Sequence, residues 1–278
     1  MRNIKIVTDS SANIRTSERC DLAVAPLKIV STEREFVDDE RLSVADMIDY
    51  FDHYKGTSKT SCPNPIDWLH AFGDADDIVC LTITSGLSGS YNAANIAKQM
   101  YEADHPDRHV YVIDSLSAGP ELQLMIEKLE EWIVQGSTYE DICETVPFYQ
   151  AKTGLVFMLE SLKNFAVNGR ISPTIAKITG LLGIRIVGKA SDVGTLEPLH
   201  KCRGEAHSLT AIVNHLKQNG LSKGKVRIAH CQNEAAADRL KERILAAFPQ
   251  VDVGITTCQG LCSYYAEKGG LLVGFEKK

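Results

Sequence analysis

The chain has 278 residues, 44% of them hydrophobic and 24% charged, which is enough apolar content for a substantial core and argues against disorder. A formal net charge of −6 without any block of Lys and Arg speaks against a nucleic-acid partner, because neutralising phosphates needs clustered cations. No window approaches the roughly 20 apolar residues of a membrane span, and Met1-Arg2-Asn3-Ile4-Lys5-Ile6-Val7 is too short an apolar stretch for a secretory signal, so a cytoplasmic protein with no stable membrane insertion is expected.

In chain order, β-type runs are expected at Ile4–Thr8, Leu22–Val30, Ile78–Thr84, His109–Asp114, Leu155–Leu159, Val226–Cys231, Val251–Thr256 and Leu271–Phe275. Helical patterns lie at Val44–Tyr54, Asn64–Phe72, Ser88–Tyr101, Glu121–Val134, Tyr139–Gln150, Pro173–Leu182, Glu205–Asn219 and Glu234–Phe248. This alternation predicts an α/β protein with largely parallel sheets covered by helices. Ile184–Lys201 departs from the rhythm: extended pieces around Gly188 and Asp192-Val193-Gly194 predict a hairpin. We therefore expect two α/β domains, residues 1–155 and a mixed one at 156–278, with a ligand cleft between them.

Four polar segments sit where strands end, the edge at which open α/β sheets bind ligands. Thr8-Asp9-Ser10-Ser11 is either a ligand contact or a helix cap. In Thr60-Ser61-Cys62-Pro63-Asn64-Pro65 the prolines stiffen a loop that presents two hydroxyls; the bland alternative is an ordinary helix entry. Thr84-Ser85-Gly86-Leu87-Ser88-Gly89-Ser90 is the sharpest signal. Its glycines would let a ligand approach the backbone, and the following helix offers N–H groups and a positive dipole end to an anion. It is neither a P-loop nor a nucleotide-binding Gly-x-Gly-x-x-Gly. A nucleophilic serine is the competing reading, but Ile83 stands where a nucleophile elbow needs Gly. In Asn168-Gly169-Arg170-Ile171-Ser172-Pro173, Arg170 either faces a cleft or pairs with a surface carboxylate.

The eight histidines form no metal-binding pair, and only His230 falls near a strand end. The eight cysteines are scattered without a Cys-x-x-Cys, which reads as reduced thiols. Cys258 and Cys262 are close enough to share a helix face, but a zinc site would need two further ligands. No metal and no cofactor is expected.

Taken together, Thr8-Asp9-Ser10-Ser11, Val24-Ala25-Pro26-Leu27, Asp38, Thr60-Ser61-Cys62-Pro63, Ser85-Gly86-Leu87-Ser88-Gly89-Ser90-Tyr91, Asp114-Ser115, Asn168-Gly169-Arg170-Ile171, Leu181-Leu182-Gly183-Ile184 and Lys201-Cys202-Arg203 resemble the DegV family of bacterial lipid-binding proteins. The resemblance implies a non-catalytic carrier: a long-chain fatty acid in the cleft between two domains, with its carboxylate presented to a separate ATP-dependent fatty acid kinase subunit. Carried over by position, Thr60, Ser61, Ser85, Ser88 and Gly89 become carboxylate contacts. Arg170 lies near the entrance, and Arg203 faces the partner. Where family members carry His-x-Gly-Pro-Gly near the head group, this chain has Cys258-Gln259-Gly260-Leu261-Cys262, so Cys258 and Gln259 are the candidates to supply that contact.

The chemistry is self-consistent. Burying a sixteen-carbon chain at about 0.8 kcal/mol per CH₂ supplies on the order of 10 kcal/mol before ordering costs, and neutral donors with a helix N-terminus can hold the carboxylate. The alternatives are a lipid-responsive sensor or interaction protein, and a phosphotransferase or hydrolase acting at the Ser85–Ser90 turn.

Overall fold

The computed structural model describes residues 3–171, 175 and 183–278. Apart from Ile175, the expected helix Pro173–Leu182, and with it Ser172, lies outside the described residues. Thirteen strands are described: β1 (Ile4–Asp9), β2 (Leu22–Ala25), β3 (Lys28–Ser31), β4 (Glu35–Val37), β5 (Ser58–Ser61), β6 (Asp77–Thr82), β7 (His109–Asp114), β8 (Thr153–Leu159), β9 (Ile184–Ala190), β10 (Leu196–Arg203), β11 (Lys223–His230), β12 (Gln250–Thr257) and β13 (Leu271–Glu276).

The first sheet has order β2-β1-β6-β7, and every pairing in it is parallel. Every residue of β6 is buried, as a strand covered on both faces requires. Its alternate residues serve two layers. Ile78 and Cys80 pack with Trp68, Phe72, Ala94 and Tyr101 from helices Pro65–Phe72 and Ser90–Asp104. Val79 and Leu81 pack with Leu122, Ile126, Ile142 and Val146 from helices Pro120–Val134 and Tyr139–Gln150.

The second sheet has order β10-β9-β8-β13-β11-β12. It is mixed, as expected for this half, and more antiparallel than the largely parallel expectation: only β11 and β12 pair parallel, and the remaining pairings are antiparallel. For β9 and β10 the reason is connectivity: a tight turn at 191–195 joins them, and tight turns join only antiparallel strands. Helices Glu205–Gln218 and Glu234–Ala247 bury Leu209, Ile212, Leu240 and Ile244 against one face.

A small antiparallel sheet, β4-β3-β5, was not anticipated. The expected strand Leu22–Val30 breaks at Pro26, so that β2 joins the parallel sheet and β3 the small one. Proline has no N–H to give a ladder, and it interrupts the run.

The change from first sheet to second falls at β8, but the halves are not separate bodies of packing. Helix Pro120–Val134 packs on β1 and also on β8, β11 and β13. At Gly274 of β13 the approach is so close that a Cβ would sit 2.5 Å from the Pro120 carbonyl carbon and oxygen. Gly274→Ala should therefore cost about 1–3 kcal/mol through overpacking against backbone, read as a lower urea midpoint. An unchanged midpoint would show that the helix is free to shift.

Candidate ligand-binding cavity

Strand β8 is buried along its whole length, and its period-two alternation divides it between two tasks. Val156 and Met158 point into the core of the second sheet. Leu155, Phe157 and Leu159 point the other way and wall a cavity of about 360 Å³, at the lower end of the roughly 300–1,000 Å³ typical of ligand sites. Leu27 and Ile83 from the N-terminal half face them, together with Leu261, Cys262 and Tyr265 of helix Gly260–Ala266. The walls thus come from both sides of the change in sheet.

The β9–β10 hairpin closes one flank with Lys189, Ala190, Gly194, Thr195 and Leu196. Its tip lies against the Thr84–Gly86 turn: a Cβ on Gly194 would sit 1.8 Å from Thr84 Oγ1, and one on Gly86 would sit 2.8 Å from the Val193 carbonyl oxygen. Gly194 also has φ +73°. The small residue at Gly86 therefore admits the hairpin backbone, not a ligand. Gly89 does reach the cavity, beside the Cys62 thiol.

Thr60, Ser61, Ser88 and Arg170 are among the polar residues of the lining. The Thr60 and Tyr265 hydroxyls share a 2.7 Å hydrogen bond. Burial pushes the Tyr265 phenol up, while Thr60 and the neighbouring Arg170 guanidinium pull it back. Ser88 Oγ accepts from the Ser90 N–H at 3.2 Å, which holds its hydroxyl at the start of helix Ser90–Asp104. Lys59 also lines the cavity.

Two buried carboxylates fix these loops. Asp9, with no exposure to solvent, caps the short 3₁₀ turn Ser10–Ala12, so the cap reading of Thr8-Asp9-Ser10-Ser11 holds. Asp9 also accepts from the Ile83 N–H at 2.9 Å and the Ser90 hydroxyl at 2.7 Å. Burial raises its pKa, and the bonds from Ser11, Ser90 and Ile83 oppose that rise. Asp38 is equally buried. It accepts from the Gly260 and Leu261 N–H groups at 2.9 and 2.8 Å and pairs with Arg15. A Cβ on Gly260 would sit 2.6 Å from Asp38 Oδ1, so this contact requires glycine.

The structure thus brings Thr60, Ser61, Ser88, Gly89 and Arg170 to one cavity and places four other candidates elsewhere. Ser85 is exposed and gives its N–H to Asp114 Oδ1 at 3.0 Å. Cys258 is buried in the core beside Cys231 and Cys262, and burial pushes its thiol well up. Gln259 faces Arg15, whose guanidinium donates to Oε1 at 3.3 Å. Arg203 is exposed at the opposite end of edge strand β10 from Leu196 and is not among the residues lining the cavity. His230 is buried and accepts from the Asn233 N–H at 3.2 Å.

Sequence reasoning missed Tyr265, Phe165 and the hairpin residues that line the cavity. The apolar β8 run was visible, but which of its faces borders a void is decided by distant segments. Among the described residues no helix is long and apolar enough to cross a membrane.

A family model described as uncharacterised protein, DegV family, matches residues 3–278. A DegV domain-containing protein of Streptococcus pneumoniae is 44% identical over 276 residues, covering 98% of each chain. Among solved structures, the DegV family protein from Eubacterium eligens loaded with heptadecanoic acid is 41% identical, with a TM-score of 0.97 over 99% of this chain and 100% of that one. The Streptococcus pneumoniae fatty acid kinase (Fak) B3 protein loaded with linoleic acid is 43% identical, with the same TM-score and coverage.

Removing the Asp38 carboxylate should be costly. Asp38→Ala strands two buried N–H groups and removes the ion pair with Arg15, and a loss of about 3–5 kcal/mol is expected. Chemical denaturation reads it directly. A loss below about 1 kcal/mol would show that water or another group replaces the carboxylate.

Proposed function

This chain belongs to the DegV family, and from that premise and the cavity's shape we propose that it is a cytoplasmic carrier holding one long-chain fatty acid. The observation that carries the reading is the mixed lining of one cavity: β8 and helix Gly260–Ala266 give it apolar walls, and Thr60, Ser61, Ser88 and Arg170 are among its polar residues. An acyl chain matches the first and a carboxylate the second. The hydroxyls donate to the carboxylate oxygens, and the Arg170 cation offsets part of the cost of taking the charge out of water. With the chain divided at 155/156 into two units, the ligand lies where they meet.

The carrier performs no chemistry of its own. Among the described residues no histidine lines the cavity, and the Ser90 hydroxyl, hydrogen-bonded to Asp9, is fully buried. The carboxylate is instead offered at the polar residues of the lining to a separate ATP-dependent kinase subunit. The relative loaded with linoleic acid is described as a fatty acid kinase B protein, which supports this partner.

Replacing both Ser61 and Ser88 by Ala tests the head-group assignment. Hydrogen bonds to a charged group contribute about 1.5–3 kcal/mol each, so affinity for a sixteen-carbon acid should fall on the order of a hundredfold or more. The matching fatty alcohol should lose much less. Equal losses for acid and alcohol would remove both serines from the head-group site. Cys258→Ala, away from the cavity, should move both affinities alike.

A further inference from the structure

We propose that Asn168 is a positioning residue for the polar lining of the cavity, acting through Arg170 and Thr60. The proposal rests on the carboxylate reading above and adds a residue that does not itself line the cavity. Strand β5 is an edge of the small sheet, and an edge strand leaves outward backbone groups without a ladder partner. The outward N–H of Thr60 is taken by the Asn168 side chain, donating to Oδ1 at 3.1 Å. On its other side the same amide donates from Nδ2 to the Asn164 carbonyl oxygen at 2.8 Å and to the Tyr264 hydroxyl at 3.0 Å. One backbone donor and one backbone acceptor therefore fix which way the amide points.

Three segments distant in sequence meet at this one side chain. Thr60 presents its hydroxyl to Tyr265, Ser58 of the same strand shares a 2.7 Å bond with Tyr264, and Arg170 follows Asn168 by two residues. Between them Gly169 takes φ +66°, and the Arg170 N–H donates back to the Phe165 carbonyl oxygen at 2.8 Å. The turn that delivers the guanidinium to the cavity is thus pinned at its base to the strand that delivers the hydroxyls. Without the amide, the cation and the hydroxyls would be free to drift apart. Acid recognition needs them together, whereas the apolar walls need neither.

The test compares the purified full chain with Asn168→Ala, measuring affinity for hexadecanoic acid and hexadecanol and amide exchange at Thr60. The variant should bind the acid about tenfold more weakly and the alcohol within about twofold of wild type, and the Thr60 amide should exchange at least about tenfold faster. In an Arg170→Ala background the further loss of acid affinity should be smaller than in wild type, because the two residues act as one unit. If the alanine variant does not fold, Asn168→Ser, which shortens the reach to Thr60, gives the same comparison. A wild-type protein that prefers acid, with a variant that keeps that preference and the Thr60 protection, overturns the role of Asn168 alone. Equal losses for acid and alcohol overturn it as well, by marking the effect as structural. A wild-type protein that binds neither ligand contradicts the reading of the cavity itself.

Discussion

A carboxylate shut away from water ties the start of this chain to its end. Asp38 directly follows strand β4, yet it receives the first N–H groups of helix Gly260–Ala266. That helix supplies Leu261, Cys262, Tyr265 and Ala266 to the cavity, so the position of one wall depends on a contact more than two hundred residues away in sequence. Such a carboxylate is stable only while it is paired and hydrogen-bonded, since losing either partner strands a buried charge. Arg15 provides the pairing and the helix provides the donors. Gly260 is small because the carboxylate needs the space.

The other walls follow from similar close approaches. Gly194 lets the β9–β10 hairpin rest on Thr84, and Asp9 draws the Ile83 backbone and Ser90 together beneath the same turn. These contacts hold open a space lined by Leu155, Phe157 and Leu159. Apolar side chains around a void forgo dispersion contacts that a packed core would have. A ligand that fills the void restores them, and binding only the folded state also raises stability by mass action. Affinity for an acyl chain and resistance to unfolding are therefore coupled.

Much of the first half was legible in the sequence. β1, β6 and β7 announced themselves as apolar runs ending in polar turns, and the helices between them had clear periodicity; the structure adds the caps, such as Asn64 with Asp67. The second sheet was less so, because parallel and antiparallel strands share the same local pattern and only the short turn at 191–195 distinguishes them. Thr60, Ser61, Ser88, Gly89 and Arg170 were drawn from loops at strand ends, and the structure gathers them. Cys258 and Gln259 came from their place in a local motif, and a motif does not say which way a side chain points. Cys258 turns into the core because its backbone continues from β12 by donating to the His230 carbonyl oxygen. Tyr265 carried no local signal, and Asn168 stood in a signalled motif without its role being legible, since their partners at Thr60 lie over a hundred residues away.

The central claim is that the cavity holds one acyl chain. Native mass spectrometry of protein purified from a bacterial host tests it most directly. The account predicts a folded species heavier than the 30.6 kDa chain by the mass of a single long-chain fatty acid, and release of that acid on denaturation. A folded species at the bare chain mass, unchanged after incubation with fatty acids of several lengths, would contradict it.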